Sequence, residues 1–280
     1  MREINRCLQI RPTSSPYLSG DSFRALADHV FETADAFNKS RLISNRDVIF
    51  CATHFLNDFR LKVLPYICNP FILITHNSDK GVTPLESDIL TNPYLIHWFA
   101  QNNQLTHSKI TSIPIGLENR WMHNHGRLSK FEKKNQTNII KVPQILCAFN
   151  IYTNPAERGL AKAILQTHPM ATFKQLNPKE YLKELSKNMF VASPAGNGLD
   201  CHRTWEALYV QTIPIVVGRD FYNSFQQFPG VVLDRWENLQ DFSTQNLVAL
   251  YSEKIKLLRD TKNIWFPYWG QRIHDFQSNR

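Results

Sequence analysis

No stretch of this sequence is apolar over the roughly 18 residues that a membrane-crossing helix needs. The longest apolar runs, such as residues 213–217, are far shorter and contain a proline, so no spanning helix is expected. The N-terminal segment MREINRCLQIRPTSSP is basic and lacks the apolar core of a signal peptide, which makes the cytoplasm the expected location. Cysteine is sparse: five residues, an odd number, widely spaced and without a Cys-x-x-Cys pair, argue against a disulfide framework and against a cysteine-based zinc site. No internal repeat of fixed period is present. What remains is a globular composition, 42% hydrophobic, 12% aromatic and 20% charged, which excludes disorder, collagen and coiled coil together.

Basic residues outnumber acidic ones by 32 to 24, a net charge of +8. Such an excess favours anionic partners, from nucleotides to a peripheral contact at the inner membrane face. It is diffuse, however. The only local concentration, Lys130, Lys133, Lys134 and Lys141, is broken by Glu132 and polar residues and reads as a solvated linker, so nucleic acid is not an expected partner.

Short runs rich in Val, Ile and Phe alternate with longer amphipathic runs, the pattern of βα units around mostly parallel sheets. In the first half a helix is expected over about 23–37, with Asp21 or Ser22 as its N-cap, followed by four strands over 48–51, 71–75, 96–100 and 110–115. Residues 120–142 become polar and basic. The expected division is therefore an N-terminal α/β domain over 1–125, a linker over 126–142, and a C-terminal α/β domain over 143–280. The C-terminal aromatics Trp265, Phe266, Tyr268 and Trp269 would anchor a tail that crosses back to the first domain.

The segment SPAGNGLDCHRTWEALYVQTIPIVV, residues 193–217, carries the most chemical information. A strand ends, a loop with Gly196, Asn197 and Gly198 follows, then Asp200, His202 and Arg203 open a helix that bears Trp205 and Glu206. Glycine lets backbone approach a ligand, a helix start offers N–H groups and a positive dipole end, and arginine adds a fork of donors: the outline of a diphosphate site. Glu206 lies about one turn beyond Arg203, on the same face, where a carboxylate can accept from ribose hydroxyls. The bland reading is an ordinary strand, loop and helix with an Arg/Glu ion pair.

The same stretch resembles the C-terminal domain of exostosin-like glycosyltransferases. The matching residues are Tyr181, Ser186, Lys187, Phe190, Pro194, Gly196, Arg203, Trp205, Glu206, Ala207, Leu208, Ile213, Pro214, Ile215 and Val216, and the resemblance covers about residues 144–235. It implies a GT-B-like α/β fold, two Rossmann-like domains with mostly parallel sheets facing across a cleft, the C-terminal one holding a nucleotide sugar, UDP-linked by expectation. It also implies inverting transfer to a glycan or glycolipid acceptor received by the N-terminal domain, and it makes Arg158, at a helix start after the first strand of the donor domain, a second phosphate ligand. With no Asp-x-Asp motif in the chain, no metal is expected, and Arg158 and Arg203 would supply the countercharge. One departure stands out: the family commonly has glycine where this sequence has Gln211, just past a helix end. A different reading of the same segment is a non-catalytic module that binds a sugar nucleotide or a glycan without turnover.

If ligands meet the carboxyl ends of the N-terminal strands, polar residues should gather there, and they do in the runs THNSD (75–79) and IGLEN (115–119). Asp79, Glu118 and Asp21, together with His76, are the candidates for the base that takes the acceptor hydroxyl proton. Arg24 is expected at the cleft rim, meeting phosphate or an anionic acceptor, and His202 is placed to donate to a phosphate oxygen.

Overall fold

The computed structural model describes residues 11–38, 42–122, 127–135 and 139–278. The chain divides into two compact units: Met1–Met122 with Trp265–Arg280, and His123–Ile264. No described helix is long and apolar enough to cross a membrane.

Unit 1 is built on a parallel sheet of five strands in the order β1 (His29–Phe31), β2 (Asp47–Ala52), β3 (Phe71–His76), β4 (Leu95–Gln101) and β5 (Ile110–Ile113). A parallel strand covered on both faces reads as a continuous apolar run, and all six residues of β3 are buried. One face packs on Leu56 and Phe59 of α2 (Leu56–Lys62) through Ile49, Leu73 and Trp98. The Trp98 indole N–H, buried in that layer, donates to Thr75 Oγ1 at 2.9 Å.

Here the structure departs from the sequence-based expectation. Residues 23–37 are not one helix: a short α1 (Gly20–Arg24) is followed by β1, which pairs with β2 in the register His29↔Ile49, so the sheet has five strands rather than four. The apolar stripe Leu26, Val30, Phe37 mimics a helical period, but His-Val-Phe suits a pleated edge, and pairing with β2 prevails over it. The N-cap of α1 is Ser19, which accepts from Ser22 N, not Asp21 or Ser22. Gly116 has φ 66°, and a Cβ there would lie 2.3 Å from the Leu18 backbone, so this crossing of segments tolerates only glycine.

The C-terminal segment belongs to unit 1 as α9 (Phe266–Ser278), whose Phe276 stacks on His97 of β4 with ring centroids 4.1 Å apart. Trp265 faces Tyr17 at 5.6 Å, and Phe266 N donates to Pro16 O at 2.9 Å. The aromatic cluster of the tail is thus a packing device.

Unit 2 holds a second parallel five-stranded sheet in the order β10 (Val231–Leu233), β9 (Ile213–Val217), β8 (Asn188–Ala192), β6 (Val142–Cys147) and β7 (Ala171–Phe173). Read in chain order from β6, this is the 2-1-3-4-5 doubly wound arrangement. The connecting helices are α4 (Pro155–Gln166), α5 (Pro178–Leu185), α6 (His202–Tyr209) and α7 (Arg219–Asn223), with α8 (Thr244–Asp260) closing the unit. The stretch expected to be a linker contains a helix, α3 (Leu128–Asn135), whose Phe131 is buried against Tyr209.

Candidate functional site

The strand order of unit 2 fixes where a ligand can enter. From β6 the chain turns to β7 on one side, and from β8 it turns to β9 on the other, so the loops after β6 and β8 diverge. Ligands of doubly wound sheets occupy the crevice at such a switch point, outside the strand carboxyl ends. The loop after β6 leads to the start of α4, and the loop after β8 leads to the start of α6.

Asn154 caps α4, accepting from Glu157 N, with Pro155 at the first helical position; its Nδ2 donates to Gly196 O at 3.0 Å. Arg158, one turn in and 6% exposed, donates from Nε to Ala195 O at 2.9 Å and from Nη1 to Asn150 O at 2.7 Å. The two loops of the crevice are therefore tied together by Asn154 and Arg158. Gly196 is needed for space: a Cβ on it would lie 2.8 Å from Arg158 Nη2. Burial lowers the Arg158 pKa, and the nearby charge of Arg203 pushes it the same way.

Arg203 occupies the first turn of α6, whose N-cap, Cys201, has no side-chain cap bond. Its guanidinium lies 6.0 Å from the centroid of the Phe149 ring, an electrostatic attraction of the ring face for the cation. Its Nε and Nη1 are buried and have no hydrogen-bond partner. Among the described residues neither Arg158 nor Arg203 is in an ion pair with a carboxylate. Two guanidiniums that disfavour one another, one with buried donors left open, form an incomplete electrostatic arrangement that an anion completes.

Glu206 is 4% exposed and buried beside the Tyr181 phenol. Burial chiefly, and the Glu206 charge next, raise that phenol well above its usual pKa, while Arg203 opposes them. Both charges therefore act on one point, as expected for residues one turn apart. Asn197 is exposed, Gly198 is partly buried and its carbonyl accepts from Gly196 N at 3.2 Å, and His202 is half-buried at the helix start.

Asp200 is engaged within the protein. Its Oδ1 accepts from Cys201 N at 2.9 Å and lies 3.4 Å from the Tyr222 hydroxyl, while Oδ2 accepts from Trp205 Nε1 at 2.7 Å. Beyond the site, α6 ends in a Schellman motif, with Thr212 N bonded to Ala207 O and Gln211 N to Leu208 O, and Gln211 takes φ 58°. The glutamine thus occupies the left-handed position that glycine commonly fills. Gln211→Gly is expected to stabilise the protein by about 0.5–1 kcal/mol, the relief of left-handed strain exceeding the added chain entropy. A Tm rise of about 1–3 °C in a thermal melt would register this, whereas a fall would show that the strain is absent.

The base candidates lie in unit 1 and differ in character. Asp79 is exposed just after β3, and Glu118 is half-buried after β5. Asp21 is 1% exposed; Arg11 Nε faces Oδ1 at 3.2 Å and Arg120 N donates to Oδ2 at 3.0 Å. Burial raises its pKa although three arginines oppose the shift. Arg24, expected to meet an anionic ligand, instead turns into the unit, its Nε bonded to Glu32 Oε1 at 2.8 Å. Among the described residues no three His, Cys, Asp or Glu side chains come together to hold a metal ion.

Sequence reasoning missed Phe149 and Asn154. Asn-Pro before an apolar-periodic run is a helix-start signal that could have flagged the latter. Phe149 offered only its place directly after an apolar strand.

No protein-family model matches the sequence, and no curated protein matches it. Among solved structures 13 chains match. One of them, an apo structure of OtsA, superposes with a TM-score of 0.50 at 11% identity, covering 88% of this chain and 76% of that one. At such identity the likeness bears on the fold, which is α/β and GT-B-like, with a parallel sheet in each of two units.

Proposed function

We propose that this chain is a glycosyltransferase that takes its sugar from a nucleoside-diphosphate donor held at the switch point of unit 2. The observation that carries the proposal is the pair of open, buried donors on Arg203, set at a helix start and against Phe149. The α/β, GT-B-like fold, shared with the apo structure of OtsA, agrees with this reading. In the finer reading the enzyme is exostosin-like, inverting and independent of metal, and it acts on a glycan or glycolipid.

Arg203 would meet the diphosphate, and Glu206 would accept from the ribose hydroxyls. Arg158 would act as a positioning residue, since two of its donors already hold the Ala195 and Asn150 carbonyls. As the acceptor oxygen bonds to the anomeric carbon, its proton passes to a base, and the bond from that carbon to the diphosphate oxygen breaks. Negative charge then grows on the departing diphosphate, and Arg203 would stabilise it there. Asp79, Glu118 and Asp21 are the base candidates, and the Asp21 oxygens are turned to Arg11 and Arg120.

The test is thermal denaturation of the full chain with UDP, GDP or CMP, each with and without EDTA. A native-state ligand at about 100 times its Kd stabilises by about 2.7 kcal/mol, so one nucleotide is expected to raise Tm by several degrees irrespective of EDTA. If none raises it, the donor site is wrong; a rise abolished by EDTA would overturn metal independence.

A further inference from the structure

The Arg203 guanidinium is both held and left open. A guanidinium has five N–H donors and no acceptor, so in its hydrogen bond with the Tyr181 phenol the phenol oxygen accepts. That bond uses neither Nε nor Nη1, which are buried and without a partner. The Phe149 ring, 6.0 Å away, attracts the charge of the cation rather than any one N–H. The directional contact therefore comes from Tyr181.

Tyr181 is itself firmly placed. It is 8% exposed and lies in the middle of α5. At the start of that helix Asn177 Oδ1 accepts from Lys179 N and Glu180 N at 3.0 and 3.1 Å. At its end Asn188 Nδ2 donates to Glu184 O and Thr212 Oγ1 donates to Leu185 O, both at 2.7 Å. Thr212 also donates from its backbone N to Ala207 O of α6 at 2.9 Å. One threonine thus ties the helix that carries Tyr181 to the helix that carries Arg203, and the phenol meets the guanidinium from a fixed base.

The chemistry of the phenol suits an arginine that must keep its charge for a ligand. Burial chiefly, and the Glu206 charge next, raise the Tyr181 pKa well above its usual value, with Arg203 opposing, so the group is neutral. A carboxylate in its place would hold Arg203 by charge and cancel the charge that an anion needs. A neutral acceptor orients the side chain and leaves that charge available. An arginine whose head is already fixed also loses less rotamer freedom when the anion arrives.

From this we propose that Tyr181 is a positioning residue for anion binding in unit 2: through its hydrogen bond it orients the Arg203 guanidinium so that Nε and Nη1 meet phosphate oxygens. The proposal rests on the donor reading only in identifying that anion as a nucleoside diphosphate.

The experiment is isothermal titration of the full chain with UDP and with inorganic pyrophosphate, on the wild type, Tyr181→Phe, Arg203→Met and the double variant, each checked by a thermal melt. Tyr181→Phe removes the acceptor and keeps the ring, and it is expected to weaken both ligands about tenfold. In the Arg203→Met background the same change should weaken binding less than twofold, because no guanidinium is left to orient. A general loosening of unit 2 would instead weaken binding equally in both backgrounds. That result, an unchanged affinity in folded Tyr181→Phe, or a Tyr181→Phe chain that fails to fold would overturn the inference and leave the phenol a packing group. A wild type that binds pyrophosphate but not UDP would sink the donor reading alone, since the comparison of variants can still be read on pyrophosphate. Binding of neither would sink both.

Discussion

Arg203→Met is expected to weaken UDP binding about 100-fold or more while lowering the melting temperature only slightly. Hydrogen bonds to charged groups contribute about 1.5–3 kcal/mol each, and two donors of this side chain, Nε and Nη1, are open and buried. Losing both would cost about 3–5 kcal/mol of binding, a factor of roughly 100 to several thousand. The unliganded fold loses little beyond the hydrogen bond between Arg203 and the Tyr181 phenol, because Nε and Nη1 have no partner within the protein. Arg158→Met should behave in the opposite way. It removes the ties to Ala195 O and Asn150 O, so stability falls and any loss of affinity arrives through a loosened loop. Isothermal titration with UDP beside a thermal melt separates the two, and an Arg203 variant of wild-type affinity would remove the central support for a donor site in unit 2.

Much of unit 2 was legible in the sequence because its signals are local. Buried parallel strands are continuous apolar runs, so β8 and β9 announce themselves, and α8 is a 17-residue amphipathic helix opened by a Ser243 capping box. The strand order was not legible, since nothing local says that β6 lies between β7 and β8, and that order creates the crevice. Arg158 illustrates the same limit. Its position at a helix start could be read, but its bond to Ala195 O spans 37 residues, and that bond makes it a tie between loops as well as a charge. In unit 1 the failure over residues 23–37 came from three apolar side chains at helical spacing, outweighed by pairing with a strand that begins at Asp47.

Asp200 separates a residue that builds the site from one that binds in it. It lies in the glycine-containing loop beside Arg203, and the sequence makes it a ligand-binding candidate. In the structure it organises the start of α6: it accepts from Cys201 N and from the Trp205 indole and lies beside the Tyr222 hydroxyl, with Trp205 and Tyr222 1% and 2% exposed. Removing the carboxylate strands the indole N–H in a ring of aromatics that includes Phe225, 5.7 Å away and edge-on. A buried donor left without a partner costs about 1–3 kcal/mol; the Cys201 N–H loses its partner as well, and the Tyr222 hydroxyl keeps only Thr204. Asp200→Ala is therefore expected to destabilise the protein by about 3–4 kcal/mol, lowering Tm by roughly 5–10 °C for a chain of this size. Asp200→Asn keeps one acceptor oxygen and should fall about midway. UDP affinity measured well below the lowered Tm should change less than tenfold, because the open donors belong to Arg203. A variant that melts like the wild type but has lost UDP binding would return Asp200 to the ligand and displace Arg203 as the principal contact.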